Sequence, residues 1–175
     1  MPDTISLPLE RALQVGAEIV EVLGPLSKKI AIAGSVRRRR PVVNDIDIIM
    51  LVNIDQFGAA QRITGLCKRF AIDKSLDKDG EQIKRWFMRT PECTVQIDLF
   101  IALDPEEWAT YELIWTGPKG SNIRICQTAL DLGYRMRAGG QGLFSADGKT
   151  RIAYESEAAI FAALGLKYKE PWERD

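Results

Sequence analysis

Apolar residues recur at Leu9, Ala12, Leu13, Ile19, Val20 and Leu23, which predicts an amphipathic helix over 8–23, interrupted at Gly16 and ended by Gly24-Pro25. Residues 30–33 are a short apolar run leading into Gly34-Ser35, and residues 46–52 a longer one; both read as buried strands. Between them, 36–44 is irregular and carries four consecutive arginines. A second helical face is set by Ala60, Ile63, Cys67 and Phe70 over 56–70. It is followed by a polar turn over 73–81 and two β-like runs at 84–89 and 95–102. The order helix, strand, strand, helix, strand, strand predicts a mixed sheet with helices packed on it.

The pattern changes at Asp104-Pro105-Glu106-Glu107. Asp suits an N-cap, Pro is preset for the first helical position, and two acids suit the positive end of the helix dipole. The helix this opens is expected to run to about Trp115, where Thr116-Gly117-Pro118-Lys119-Gly120 breaks the chain. Ser121 is expected to cap a helix through Leu132 with Gly133 at its end. Short strands at 134–136, 143–144 and 150–153 follow, the last two joined at Asp147-Gly148. Ser156 then caps a final helix closed by Gly165. The expectation is an α+β chain of two modules, residues 1–104 and 105–175.

Composition narrows the chemistry. The 175 residues contain no histidine, which excludes a Ser-His-Asp triad, a histidine base and His-containing zinc sites. Three widely spaced cysteines without a CxxC pair fit a reducing compartment better than a disulfide scaffold. No apolar run approaches the ~18 residues of a membrane span, and the first residues lack a basic signal region. A cytoplasmic location is expected, without secretion or membrane insertion. Lys and Arg (24) balance Asp and Glu (24), and neither module is basic overall, so any nucleic-acid grip must be local.

Asp45-Ile46-Asp47 heads the strand at 46–52. Strand alternation puts both carboxylates on one side and Ile46 in the core. Adjacent like charges call for a cation, and all-oxygen ligands suit Mg²⁺ or Mn²⁺. A lone Asp-x-Asp is more often a solvated turn. A third acid, Asp98, interrupts the apolar run Val95 through Ile101, where it is costly unless paired or metal-bound. If the two strands are neighbours, three acids converge in a layout suited to two-metal phosphoryl transfer. Gly34-Ser35, followed by Arg37 and Arg38, offers a close backbone approach, a hydroxyl and forked donors for phosphate oxygens.

Gly34-Ser35, Asp45, Asp47 and a distant Asp98 together resemble the nucleotidyltransferase superfamily that includes DNA polymerase beta. Trp115-Thr116-Gly117 with Asn122 resembles the aromatic-Thr-Gly…Asn motif of family X DNA polymerases, and the resemblance extends through Leu166 to Pro171 and Arg174. It implies a palm at 1–104 and a C-terminal subdomain at 105–175 that closes over the nascent base pair. Asp45 and Asp47 would bind both of two Mg²⁺ ions (Mn²⁺ substituting), and Asp98 only the catalytic one. Gly34, Ser35, Arg38 and Asn44 would serve the triphosphate, and Trp115, Gly117 and Asn122 the sugar and base. The implied partners are a dNTP and primer-template or gapped DNA, with the protein a monomer acting in DNA repair.

This chain departs from the family pattern at three places. Asn44 stands where many members have Gly, Ile114-Trp115 replaces a Tyr-Phe pair, and Cys126 occupies a common arginine position with Arg124 nearby. These bear on sugar choice and fidelity. The lyase and helix-hairpin-helix elements of larger relatives are not expected in 175 residues. A transferase acting on a small molecule, protein or RNA end would explain the acids equally well but leaves the C-terminal resemblance unexplained. A non-catalytic DNA-binding adaptor would leave the three acids without a role.

Overall fold

The computed structural model describes residues 6–53, 58–137 and 139–174. They fall into two compact units, Met1–Leu103 and Asp104–Asp175.

In the first unit, α1 (Leu9–Leu23) follows β1 (Leu7–Pro8) and buries Ala12, Val15, Gly16, Ile19 and Leu23, the spacing of one helical face. Gly16 is the point of closest approach to the sheet. A Cβ there would lie 2.7 Å from Ile32 Cδ1 and 3.5 Å from Ile46 Cγ2, so the break in the apolar face is what lets the helix sit flush. The strands are β2 (Ser27–Ile32), β4 (Asp45–Val52), β5 (Lys78–Asp79), β6 (Ile83–Arg89) and β7 (Thr94–Ala102), in the order β2-β4-β7-β6-β5. Neighbours are antiparallel except β4 and β7, which run parallel, making the predicted mixed sheet.

Ile46, Ile48, Met50 and Val52 of β4 join Val95, Ile97, Leu99 and Ile101 of β7 and Trp86 of β6 in one apolar cluster. With them are Ile63 and Cys67 of α3 (Ala59–Phe70) and the buried face of α1. The period-2 pattern of both central strands therefore sends one face to this core. The start of the helix expected at 56–70 includes residues 56 and 57, which lie outside the described residues. A single helical turn, α2 (Gly34–Arg37), leads into the arginine-rich stretch, whose Arg38 and Arg39 form a turn before β3 (Val42–Val43), which pairs antiparallel with β1.

In the second unit, Asp104 accepts from the Glu106 amide and the Asp104 amide donates to the Glu107 carboxylate, a capping box. A 3₁₀ turn, Pro105–Glu107, leads into α4 (Trp108–Thr116). The next helix, α5, spans Lys119–Asp131 with Pro118 at its N-cap. Ser121 is therefore inside the helix and buried, not its cap: Pro118, fixed in φ and lacking an N–H, starts the helix three residues earlier than expected. Strands β8 (Tyr134–Arg137), β9 (Gly142–Ser145) and β10 (Arg151–Ala153) form an antiparallel sheet in the order β10-β9-β8. Ser156 Oγ accepts from the Ala159 amide at the head of α6 (Glu157–Ala163). Leu113, Ile125, Ala129, Leu143, Ala153, Ile160, Phe161 and Leu164 make this unit's own core. Among the described residues, no helix is long and apolar enough to cross a membrane.

Candidate active site

The parallel register sets Asp47 of β4 directly beside Asp98 of β7, and Asp45 beside Gln96. Ile46 is fully buried while Asp45 and Asp47 stay partly exposed on the opposite face, as alternation requires. Three carboxylates from two separate strands thus share one end of one sheet face. Their electrostatics are those of a site waiting for positive charge. Burial, then repulsion from Asp45 and Asp98, pushes the Asp47 carboxyl up to about 8. Burial and the charge of Asp98 raise Asp45 as well, opposed by Arg85 and Arg38.

Gly34 is dictated by Asp47. Its φ is +56°, and a Cβ on it would lie 1.8 Å from Asp47 Oδ2. Only glycine satisfies both the backbone and the space the carboxylate occupies. The Ala33 amide also donates to the Asp47 carbonyl at 2.8 Å, fixing the turn to β4. Next along the turn, Ser35 Oγ is buried and has no hydrogen-bond partner. A buried hydroxyl left this way is costly unless a ligand completes it. Arg38 follows, close enough to oppose the upward shift of both Asp45 and Asp47. Asn44, just before the paired acids, is exposed.

Asp98 is held. Arg85 Nε donates to its Oδ1 at 2.6 Å and Nη2 to its Oδ2 at 2.9 Å, while Gln96 Nε2 donates to Oδ2 at 3.0 Å. This resolves the cost of an acid in an apolar strand: it is paired in the forked geometry arginine favours. Strand register places the pair, since Arg85 of β6 lies opposite Asp98. Arg85 and Gln96 are the site residues that sequence reasoning passed over. The signal for Gln96 is its position two before Asp98, hence on the same face. Arg85 has no local signal, because its partner is set by a cross-strand register.

The donor set, three carboxylates and no sulfur or nitrogen, suits a hard divalent cation, and the raised Asp47 shows the charge such a cation would neutralise. With Asp98 directed onto Arg85 and Gln96, no three acidic or cysteine side chains among the described residues converge to metal-holding distance.

The remaining expected residues lie in the second unit. Trp115 is half-buried near the end of α4. Gly117, the C-cap, has φ +66° and ψ −150°, outside the range of other residues, and its amide closes the helix onto the Leu113 carbonyl. Asn122 Nδ2 donates to the Ile114 carbonyl at 2.7 Å, bracing α5 against the end of α4. Its Oδ1 is buried and without a partner. Among the basic residues of this unit, Lys119, Arg124, Arg135, Arg137 and Lys149 are exposed. Arg137 bonds the Gly148 carbonyl and lies 4.2 Å over the Phe144 ring, and Arg151 pairs with Glu106.

Comparison with known proteins addresses both units. The DNA polymerase beta thumb model matches residues 112–175. Two curated relatives from African swine fever virus, each named repair DNA polymerase X, align over nearly the whole chain. One, from a Malawi tick isolate, is 26% identical over 164 residues, covering 93% of this chain and 89% of the relative. The other, from a Namibian warthog isolate, is 28% identical over 163 residues with the same coverage. Among solved structures, a ternary primer-template complex of Leishmania infantum polymerase beta superposes with a TM-score of 0.81 at 22% identity, covering 98% of this chain and 77% of that one. The three comparisons agree: the chain has a polymerase beta fold, its residues 112–175 match the polymerase beta thumb, and most of its length is similar to viral repair polymerases.

Proposed function

We propose that this protein is a DNA-directed DNA polymerase of repair, adding a deoxynucleotide from a dNTP to a primer 3′-hydroxyl at short gaps with release of pyrophosphate. The observation that carries the reading is the placement of Asp45, Asp47 and Asp98 on one face of two parallel, adjacent strands, beside a turn whose buried serine hydroxyl has no protein partner. Asp45 and Asp47 would hold two Mg²⁺ ions and Asp98 one of them, supplying charge neutralisation at the attacking and leaving oxygens.

The chain's own groups do the positioning. Ser35 Oγ donates to a triphosphate oxygen, and Arg38 adds a fixed positive charge beside it. Gly34 leaves the space that the Asp47 carboxylate fills. Asp98, next to the acceptor hydroxyl, takes its proton. Exposed Asn44 lies next to Asp45 and adds a polar contact to the same phosphates. In the C-terminal unit, Trp115 and Gly117 contact the sugar and Asn122 Oδ1 the base edge. Catalysis by positioning and charge needs no imidazole, in keeping with a chain that has none. A small-molecule or RNA-end transferase with this palm leaves the thumb match over 112–175 without a purpose.

The test is primer extension on a one-nucleotide gap, wild type beside Asp98→Asn, with dNTP and NTP compared. Template-directed addition by the wild type and its loss in the variant are expected. Robust addition by Asp98→Asn removes the catalytic assignment, and template-indifferent addition favours the other transferase. The protein acts as a monomer, and sedimentation at working concentration would reveal a dimer if that is wrong.

A further inference from the structure

Both oxygens of Asp98 are occupied by the chain itself. Arg85 takes Oδ1 and Oδ2 through its two-pronged fork, and Gln96 takes Oδ2 again. Asp98 is almost fully buried and Arg85 is about one quarter exposed, so the pair is shielded on the carboxylate side and open to solvent on the guanidinium side. Asp45 and Asp47 stand beside it, and the positive charges of Arg85 and Arg38 act on both. Both lone pairs of Oδ2 and one of Oδ1 are taken, so a cation that takes Asp98 as a full ligand competes with the fork for the same carboxylate charge.

We propose that Arg85 is a positioning residue that acts as a built-in competitor for the metal. It holds Asp98 in a stand-in ion pair, so that the third ligand joins the site only when Arg85 swings away. The inference rests on the metal-binding reading above and adds to it a residue from β6 that sets how tightly the site takes metal before substrate arrives. The competition has a direction. In the free protein the fork partly neutralises the three acids, and the cation must replace that neutralisation as well as bind. Losing the fork therefore tightens binding of metal alone. A support that stays on Asp98 while metal binds would do the opposite, since removing it would loosen the ligand.

The experiment measures Mn²⁺ binding to the nucleotide-free, DNA-free protein by calorimetry and by the loss of the free-ion electron paramagnetic resonance signal. Wild type is compared with Arg85→Lys, Arg85→Gln, Arg89→Gln and Asp98→Asn. Arg85→Lys keeps the charge but not the fork, and it should bind Mn²⁺ about tenfold more tightly than wild type. Arg85→Gln should bind at least as tightly again. Arg89→Gln, which removes the same charge from the same strand, should change the affinity much less. Circular dichroism melts establish that each variant is folded, and Arg85→Lys is the informative one should Arg85→Gln fail to fold.

Unchanged or weaker Mn²⁺ binding by folded Arg85→Lys overturns the competitor role while leaving the metal site intact. An equal gain in Arg89→Gln and Arg85→Gln, with none in Arg85→Lys, assigns the effect to general charge and overturns it too. Mn²⁺ binding that is the same in wild type and Asp98→Asn removes Asp98 as a contested ligand and overturns the competitor role, whereas binding absent from every variant overturns the metal-site reading itself.

Discussion

Asp47 carries a conflict between stability and chemistry in the first unit. Its folded value of about 8 stands above the ordinary 3.8, so between these the folded chain retains a proton that the unfolded chain has lost. Stability of the metal-free protein should fall as pH rises across that interval, and Asp47→Asn should flatten the decline and raise the midpoint of thermal unfolding at pH 8. The same variant should lose at least about a hundredfold in turnover. Melts at pH 5 and pH 8 with chelator, beside gap-filling rates, check both halves; an unchanged slope would mean that Asp47 is already ionised in the free protein. Gly34 makes the matching prediction from the other side. Gly34→Ala places a methyl where Asp47 Oδ2 lies and should cost about a hundredfold in turnover through displaced geometry, even though alanine ordinarily stabilises a chain. Cys67 is inert by contrast: burial pushes its thiol up to about 12, so the native protein should leave it unlabelled by a thiol reagent at pH 8 and expose it on unfolding.

Among the elements, the capped helices make local, separable contributions. Ser156→Ala removes the acceptor for the Ala159 amide at the head of α6 and should cost about 1 kcal/mol in urea unfolding. Glu157, the next residue, is buried against Arg174 at 2.7 Å, with Arg174 fully enclosed. Glu157→Ala should cost about 3–5 kcal/mol, because a buried guanidinium loses its neutralising carboxylate. The contrast between these neighbours shows what a sequence reveals. Ser156 as a cap, Asp104 as a cap, the two acids of β4 on one face and the break at Gly117 were all legible, because each follows from residue type and spacing within a few positions. Glu157 with Arg174, Arg85 with Asp98, and Lys84 with Asp79 at 2.6 Å were not. Their partners are fixed by strand register or by the path of the chain end, which no local pattern encodes. Ser121 was misread for the same reason in miniature: it is a good cap residue, but Pro118 had already determined where the helix begins.

For the molecule as a whole, charge balance sets expectations for DNA. With 24 basic and 24 acidic residues, and with Arg137 and Arg151 already engaged inside their own unit, binding must come from a small number of phosphate contacts. Affinity for gapped DNA should be weak and salt-sensitive, its logarithm falling by roughly 0.9 per neutralised phosphate against the logarithm of salt. An affinity indifferent to salt between dilute and physiological buffer would overturn this. The parallel pairing of β4 with β7 has a further consequence, for folding. Asp47 and Asp98 become neighbours only when strands about fifty residues apart in sequence close side by side, a non-local step that is slow because loop entropy is lost before contacts form. The carboxylates therefore do not repel one another in early, locally ordered states. Their repulsion is loaded at the closing of the central sheet, so a divalent ion present during refolding should act mainly after the rate-limiting barrier, slowing unfolding more than it speeds folding.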